Sequence, residues 1–220
     1  MARHLLRELD NLQRDLLALA GLVEDSIHKA TRALQTRNLD LAREVVAGDS
    51  QIDDEDNHVY EDCLKILALH QPVATDLRRI VSVMMITTDL ERMGDLAEEI
   101  AERALSLHGA APLPIPEKLQ RMADATIMMV RQALDSFVNL EQTQAERVRR
   151  MDDEVDRYNN EIIQELLDAM RSDPALIEPG LSMFSATRHL ERIADHATNI
   201  AEDVIYLIGG ELVRHRHLPE

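Results

Sequence analysis

Shifted by 100 residues, the chain matches itself, and that repeat restricts its possible folds more than any other feature of the sequence. Residues 82–102 (SVMMITTDLERMGDLAEEIAE) and 182–202 (SMFSATRHLERIADHATNIAE) are identical at 10 of 21 positions. The shared set includes Glu91/Glu191, Arg92/Arg192 and Asp95/Asp195 as well as apolar residues. Helical periodicity alone would repeat only the apolar positions, so the match reads as a duplication. A fainter match at an offset of 103 aligns Asp49, Ile52 and Asp53 with Asp152, Val155 and Asp156. The change in offset places a short loop difference between the second and third elements of each copy.

Each copy reads as helices. Leu5, Leu9, Leu12, Leu16, Leu19, Val23, Ile27, Ala30 and Leu34 step by three or four, which draws one stripe along a helix. Asn38 is placed to cap a second helix, whose pattern runs from Leu41 to His70. Pro72 marks its end, and a third helix runs from about Val73 to Leu107. Pro112, Pro114 and Pro116 forbid a helix over 110–117, which reads as an extended connector. Beyond it the plan repeats, with helices from Leu119 to Leu140, from Ala145 to Met170, and from Gly180 to about Val213. The expected fold is all-α, two pseudo-symmetric three-helix bundles over 1–109 and 118–220. Aromatics at 2% and the absence of Trp suit a core of interdigitated aliphatic side chains.

The net charge of −17 repels phosphate backbones and anionic headgroups, which argues against nucleic-acid partners. Cys63 is the sole cysteine, so no intrachain disulfide can form. No apolar run approaches the roughly 18 residues of a membrane span, and the opening residues lack the pattern of a signal peptide. The expected location is the cytoplasm, without insertion into a membrane.

Each copy carries two acid-x-x-x-acid pairs: Asp49/Asp53 and Glu91/Asp95, then Asp152/Asp156 and Glu191/Asp195. Residues four apart on a helix lie one above the other, and like charges there repel. With 41 acids in the chain, any single pair is ordinarily a solvated face. Recurrence of the same pairs in both copies points instead to cations, and oxygen-rich sites suit Mg, Mn or Fe. One turn beyond Asp195, Asn199 can add a carbonyl oxygen; Glu98 or Glu99 follows Asp95 in the first copy, Glu99 being the counterpart of Asn199. Antiparallel second and third helices would bring the pairs together into one site per copy. Gly94 and Ala194 beside the motifs imply close helix approach, since Gly inside a helix costs about 1 kcal/mol relative to Ala. Glu55-x-x-His58 is one copy of the motif that ferritin-like di-metal oxidases use twice, so an oxidoreductase is the rival reading; the second copy has no equivalent. A metal-free helical scaffold is the third. No phosphate-binding glycine loop or nucleophile elbow is present.

The two L-E-R-[MI]-x-D segments (residues 90–95 and 190–195) with their I-A-E tails resemble the PhoU family, as does the segment HQPVATDLR at 70–78. The second copy lacks that junction and reads Ser172-Asp173-Pro174 instead. The resemblance implies two three-helix bundles, dimerisation, and multinuclear iron or zinc on the paired acids. It also implies action on the ATPase subunit of the phosphate-specific ABC transporter and on the phosphate-sensing histidine kinase, restraining uptake and the starvation response. Carried over by position, the metal residues are Asp49, Asp53, Glu91, Asp95, Asp152, Asp156, Glu191, Asp195 and Asn199. No organic cofactor and no catalytic residue is implied.

Overall fold

A computed structural model describes residues 2–210, with side chains from His4 onward. Its helices are α1 (Ala2–Thr36), α2 (Leu39–His70), α3 (Ala74–Ser106), α4 (Lys118–Asn139), α5 (Gln142–Ser172) and α6 (Ile177–Gly209). One 3-10 turn covers Pro174–Leu176, and there is no strand among the described residues. The expected six long helices, grouped three and three, are what the chain forms.

The stripe read along α1 is its buried face: Leu9, Leu12, Leu16, Leu19, Val23 and Ile27 are almost fully removed from solvent. Burial of each such side chain stabilises by about 1.5–3 kcal/mol, which outweighs any difference in helix propensity along α1. α1 packs on both α2 and α3, and α4 packs likewise on α5 and α6.

Helix ends follow local chemistry. Asn38 Oδ1 accepts from the backbone N–H groups of Asp40 at 3.0 Å and Leu41 at 3.2 Å, which starts α2. Gln71 ends it in the left-handed region (φ 47°) and donates its N–H to the Leu67 carbonyl at 3.2 Å. The connector is docked rather than free: Leu113 is buried and its carbonyl accepts from Arg37 Nη2 at 2.7 Å. α6 starts at Ile177, ahead of the expected Gly180, because Pro179 fits a first turn whose N–H has no helical partner. Gly180 lies inside the helix, where a Cβ would stand 2.7 Å from Met170 Cγ and Sδ, so it permits the close approach of α5. The expected end near Val213 lies outside the described residues.

The halves meet along α3 and α6, with α1 and α4 also in contact. Ser106 Oγ donates to Ser182 Oγ at 3.1 Å, Glu99 Oε2 lies 2.9 Å from His189 Nδ1, and Asp89 Oδ1 accepts from Asn199 Nδ2 at 3.2 Å. Numbers fall on α3 as they rise on α6, so the helices run antiparallel. Adding the repeat offset of 100 turns Asp89 into His189 and Glu99 into Asn199. The pairs 89/199 and 99/189 are therefore one contact seen from each half, and the duplication folds as a pseudo-two-fold.

Candidate metal centre

Gly94 sets the spacing of α2 and α3. A Cβ there would meet Ile52 Cγ2 at 3.0 Å and Cδ1 at 3.2 Å, and Asp49 Oδ1 at 3.8 Å. The missing side chain lets α2 close in, which brings Asp49 and Asp53 against the acids of α3. One carboxylate oxygen from each of Asp49, Asp53 and Asp95 falls within 4.8 Å of the others. Burial, then the charges of Asp53 and Asp95, raise the Asp49 carboxyl above its ordinary range. Glu91 is raised by burial and by Asp95, with Arg92 opposing. The Arg92 guanidinium braces the pair from outside, Nη1 standing 2.9 Å from Asp95 Oδ2 and Nε 3.3 Å from Glu91 Oε2.

The second half gathers the equivalent four. Burial and the charges of Asp195, Asp156, Asp153 and Glu191, in that order, push the Asp152 carboxyl up to about 7. Glu191 is raised by burial and Asp195 while Arg188 opposes, its Nη1 lying 2.7 Å from Glu191 Oε1. Asp195 is raised by burial and by Asp156. Arg188 thus takes on α6 the bracing part that Arg92 takes on α3.

Two oxygens test whether cations fit. Asp152 Oδ1 and Glu191 Oε2 are buried and have no hydrogen-bond partner among the described residues. A buried carboxylate oxygen without a partner is costly, and the cost is removed by a proton or by a coordinated cation. Four carboxylates per half, all oxygen donors, match hard divalent or trivalent ions and borderline ions that accept oxygen.

Eight of the nine residues named from the sequence therefore gather as two sets of four. Asn199 does not join them, because its amide turns into the α3–α6 seam and donates to Asp89. Its counterpart Glu99 turns the same way, to His189. The first set instead continues to Glu98 and Asp56. Glu98 is raised by burial and by Asp49, Glu102 and Asp95, and Asp56 by burial and Asp53. At the offset of 103 Asp56 corresponds to Asn159, which is buried with an Oδ1 that has no partner among the described residues. Glu202, which would lengthen the second face, is instead paired with Arg149 at 3.1 Å. His58 of the oxidase-like motif is exposed and groups with Asp15 of α1 and with Asp62, away from the acidic set.

Comparison with known proteins places this geometry. The PhoU domain family matches residues 16–104 and 119–204, one match per half. A phosphate-specific transport system accessory protein PhoU homolog from Pseudomonas putida is 41% identical over 213 residues, covering 96% of this chain and 83% of that protein. A homolog of the same name from Aquifex aeolicus is 40% identical and covers 98% of both chains. The crystal structure of PhoU from Pseudomonas aeruginosa superimposes with a TM-score of 0.88 at 39% identity, over 93% of this chain and 99% of that one. The phosphate transport system regulatory protein PhoU from Streptococcus pneumoniae gives 0.89 at 31% identity, over 95% and 99%. With a family match in each half and relatives that align almost end to end, this chain belongs to the PhoU family.

Proposed function

We propose that this chain is a non-enzymatic, cytoplasmic regulator that restrains phosphate uptake and the phosphate-starvation response. It docks, as a homodimer, on the ATPase subunit of a phosphate-specific ABC transporter and on a phosphate-sensing histidine kinase. The observation that carries this reading is the near end-to-end match to proteins named as accessories of the phosphate-specific transport system. No helix among the described residues is long and apolar enough to cross a membrane, which is compatible with a chain that works beside a transporter.

The repeats 1–109 and 118–220, on either side of the connector 110–117, contribute one carboxylate centre each. Both centres hold metal ions, multinuclear where four or more carboxylates meet, with iron or zinc the first choices and Mg or Mn also compatible with oxygen donors. The unpartnered oxygens of Asp152 and Glu191 support this. A bound cation reverses the local sign, so a face that repels phosphate in the bare protein becomes able to hold an anionic partner group.

The test is deletion of the gene from its own cell, complemented with the natural chain or with one carrying Glu91→Gln, Asp95→Asn, Glu191→Gln and Asp195→Asn. The deletion should raise phosphate uptake and the starvation reporter in phosphate-replete medium, and the natural chain should restore restraint. The substituted chain, purified, should carry less iron or zinc than the natural chain by elemental analysis. Unchanged uptake and reporter activity in the deletion would end the regulatory reading.

A further inference from the structure

The groove between the start of α1 and the end of α2 holds a cluster of a different kind. His4 and Glu8 are four apart on α1, and His70 is the last residue of α2. His4 Nδ1 lies 3.2 Å from Glu8 Oε1, and His70 Nε2 contacts the other oxygen, Glu8 Oε2. The two imidazole rings tilt together with centroids 5.7 Å apart. One ligating atom from each of the three residues falls within 4.8 Å of the other two.

Tetrahedral zinc with bonds of about 2.0–2.1 Å holds its donors roughly 3.3–3.4 Å apart. The Glu8–His4 separation is already there. The remaining approach falls to His4, whose side chain is 72% exposed and therefore unconstrained, whereas His70 is held at 12%. Two imidazoles with one carboxylate suit zinc with a water in the fourth position, while Mg and Ca favour sites made of oxygen alone. A cation also sits well at this end of α2, where the last carbonyls carry the negative end of the helix dipole. The net charge of −17 adds a favourable field.

We infer that His4, Glu8 and His70 form a zinc site, separate from the two acidic centres, that ties the first turns of α1 to the last turn of α2. Its occupancy stiffens the entry to the Gln71–Pro72 turn from which α3 departs.

The experiment uses the full chain, free of any histidine tag, with Co²⁺ as a coloured probe and Zn²⁺ as competitor. Four proteins are compared: the natural chain, His4→Ala, His70→Ala, and the chain with Glu91→Gln, Asp95→Asn, Glu191→Gln and Asp195→Asn. The acid-substituted chain should bind one Co²⁺, and both it and the natural chain should show the visible d–d absorption that Zn²⁺ displaces. His4→Ala should keep its circular dichroism, lose that absorption, and bind Zn²⁺ at this site about 100-fold more weakly, the upper end of what a supporting ligand alone costs. Zn²⁺ should raise the melting temperature of the acid-substituted chain, and should raise that of His4→Ala less than that of the natural chain. His70→Ala, if folded, should behave as His4→Ala does. Equal zinc affinity and equal absorption in the natural chain and His4→Ala would overturn the inference. Loss of the absorption only in the acid-substituted chain would overturn it too, and would assign the metal to the acidic centres. Metal-free acidic centres in the other proteins would leave this site standing.

Discussion

His196 on α6 places Nδ1 2.7 Å from Asp89 Oδ1 on α3, and the same carboxylate oxygen accepts from Asn199. One acid thereby serves two donors from the opposite half. At the equivalent position in the first half, Leu96 occupies the place of His196, so Asp89 meets two polar partners across the seam where His189 meets Glu99.

Asp89→Ala leaves both donors without their acceptor in a mostly buried seam. The expected cost is about 1–3 kcal/mol, read from urea unfolding monitored by circular dichroism. Asp89→Leu combined with His196→Leu removes donor and acceptor together, and should recover a measurable part of that loss.

The Asp152 carboxyl sits at about 7 in the folded chain against 3.8 for an ordinary aspartate. Its folded value is raised, so its contribution is complete below pH 4 and is lost as the pH climbs through 7. Chelator-treated protein should therefore melt at a lower temperature at pH 8 than at pH 6. Asp152→Asn should flatten that fall and gain about 1 kcal/mol at pH 8, solvent screening of a partly exposed group included. A divalent cation should release protons on binding near pH 7, which calorimetry in buffers of different ionisation enthalpy detects.

Gly94 is the position at which helix propensity and packing compete. Alanine there would gain about 1 kcal/mol as a helix former, yet its methyl would meet Ile52 at 3.0 Å. Gly94→Ala should come out near neutral in thermal unfolding, since shifting the stiff Cγ2 branch of Ile52 offsets the gain in helix propensity. Gly94→Val should cost about 1–3 kcal/mol by overpacking, and should weaken cation binding in the first centre while sparing the second.

Arg149 and Glu202 form a nearly buried pair, 11% and 8% exposed. Removing one partner strands the other charge, so Arg149→Met should cost about 3–5 kcal/mol in chemical denaturation. Replacing both, as Arg149→Met with Glu202→Leu, should restore only part of it, since Arg149 makes a further interaction that the double variant also loses.

The acid pairs were legible because a spacing of four survives in a linear text and because duplication printed each pair twice. The third member of each set was not. At about 100° per residue, positions i and i+4 differ by 40°, and a second step of four brings the drift to 80°. That rotation carries Glu99 and Asn199 off the acidic face and into the seam. Glu98 and Asp56 instead lie seven residues from Glu91 and Asp49, about 20° away on the helical wheel, and stay on the face. In the sequence Glu98 stands beside Glu99 as an alternative, whereas Asp56 has no matching acid to mark it, because position 159 is Asn. The helices themselves were read nearly to their ends, because the apolar stripes coincide with the buried faces. The start of α6 was misread by taking Gly180 for punctuation, when it serves to admit Met170.

Asp195 and His196 are consecutive, one turned to the second acidic centre and the other to the seam. The imidazole already draws the proton affinity of Asp195 down through its charge. A change in how Asp195 is held therefore reaches, across one peptide unit, the residue that meets Asp89 on the opposite half. The second acidic centre and the grip between the two halves thus hang on neighbouring links of one chain.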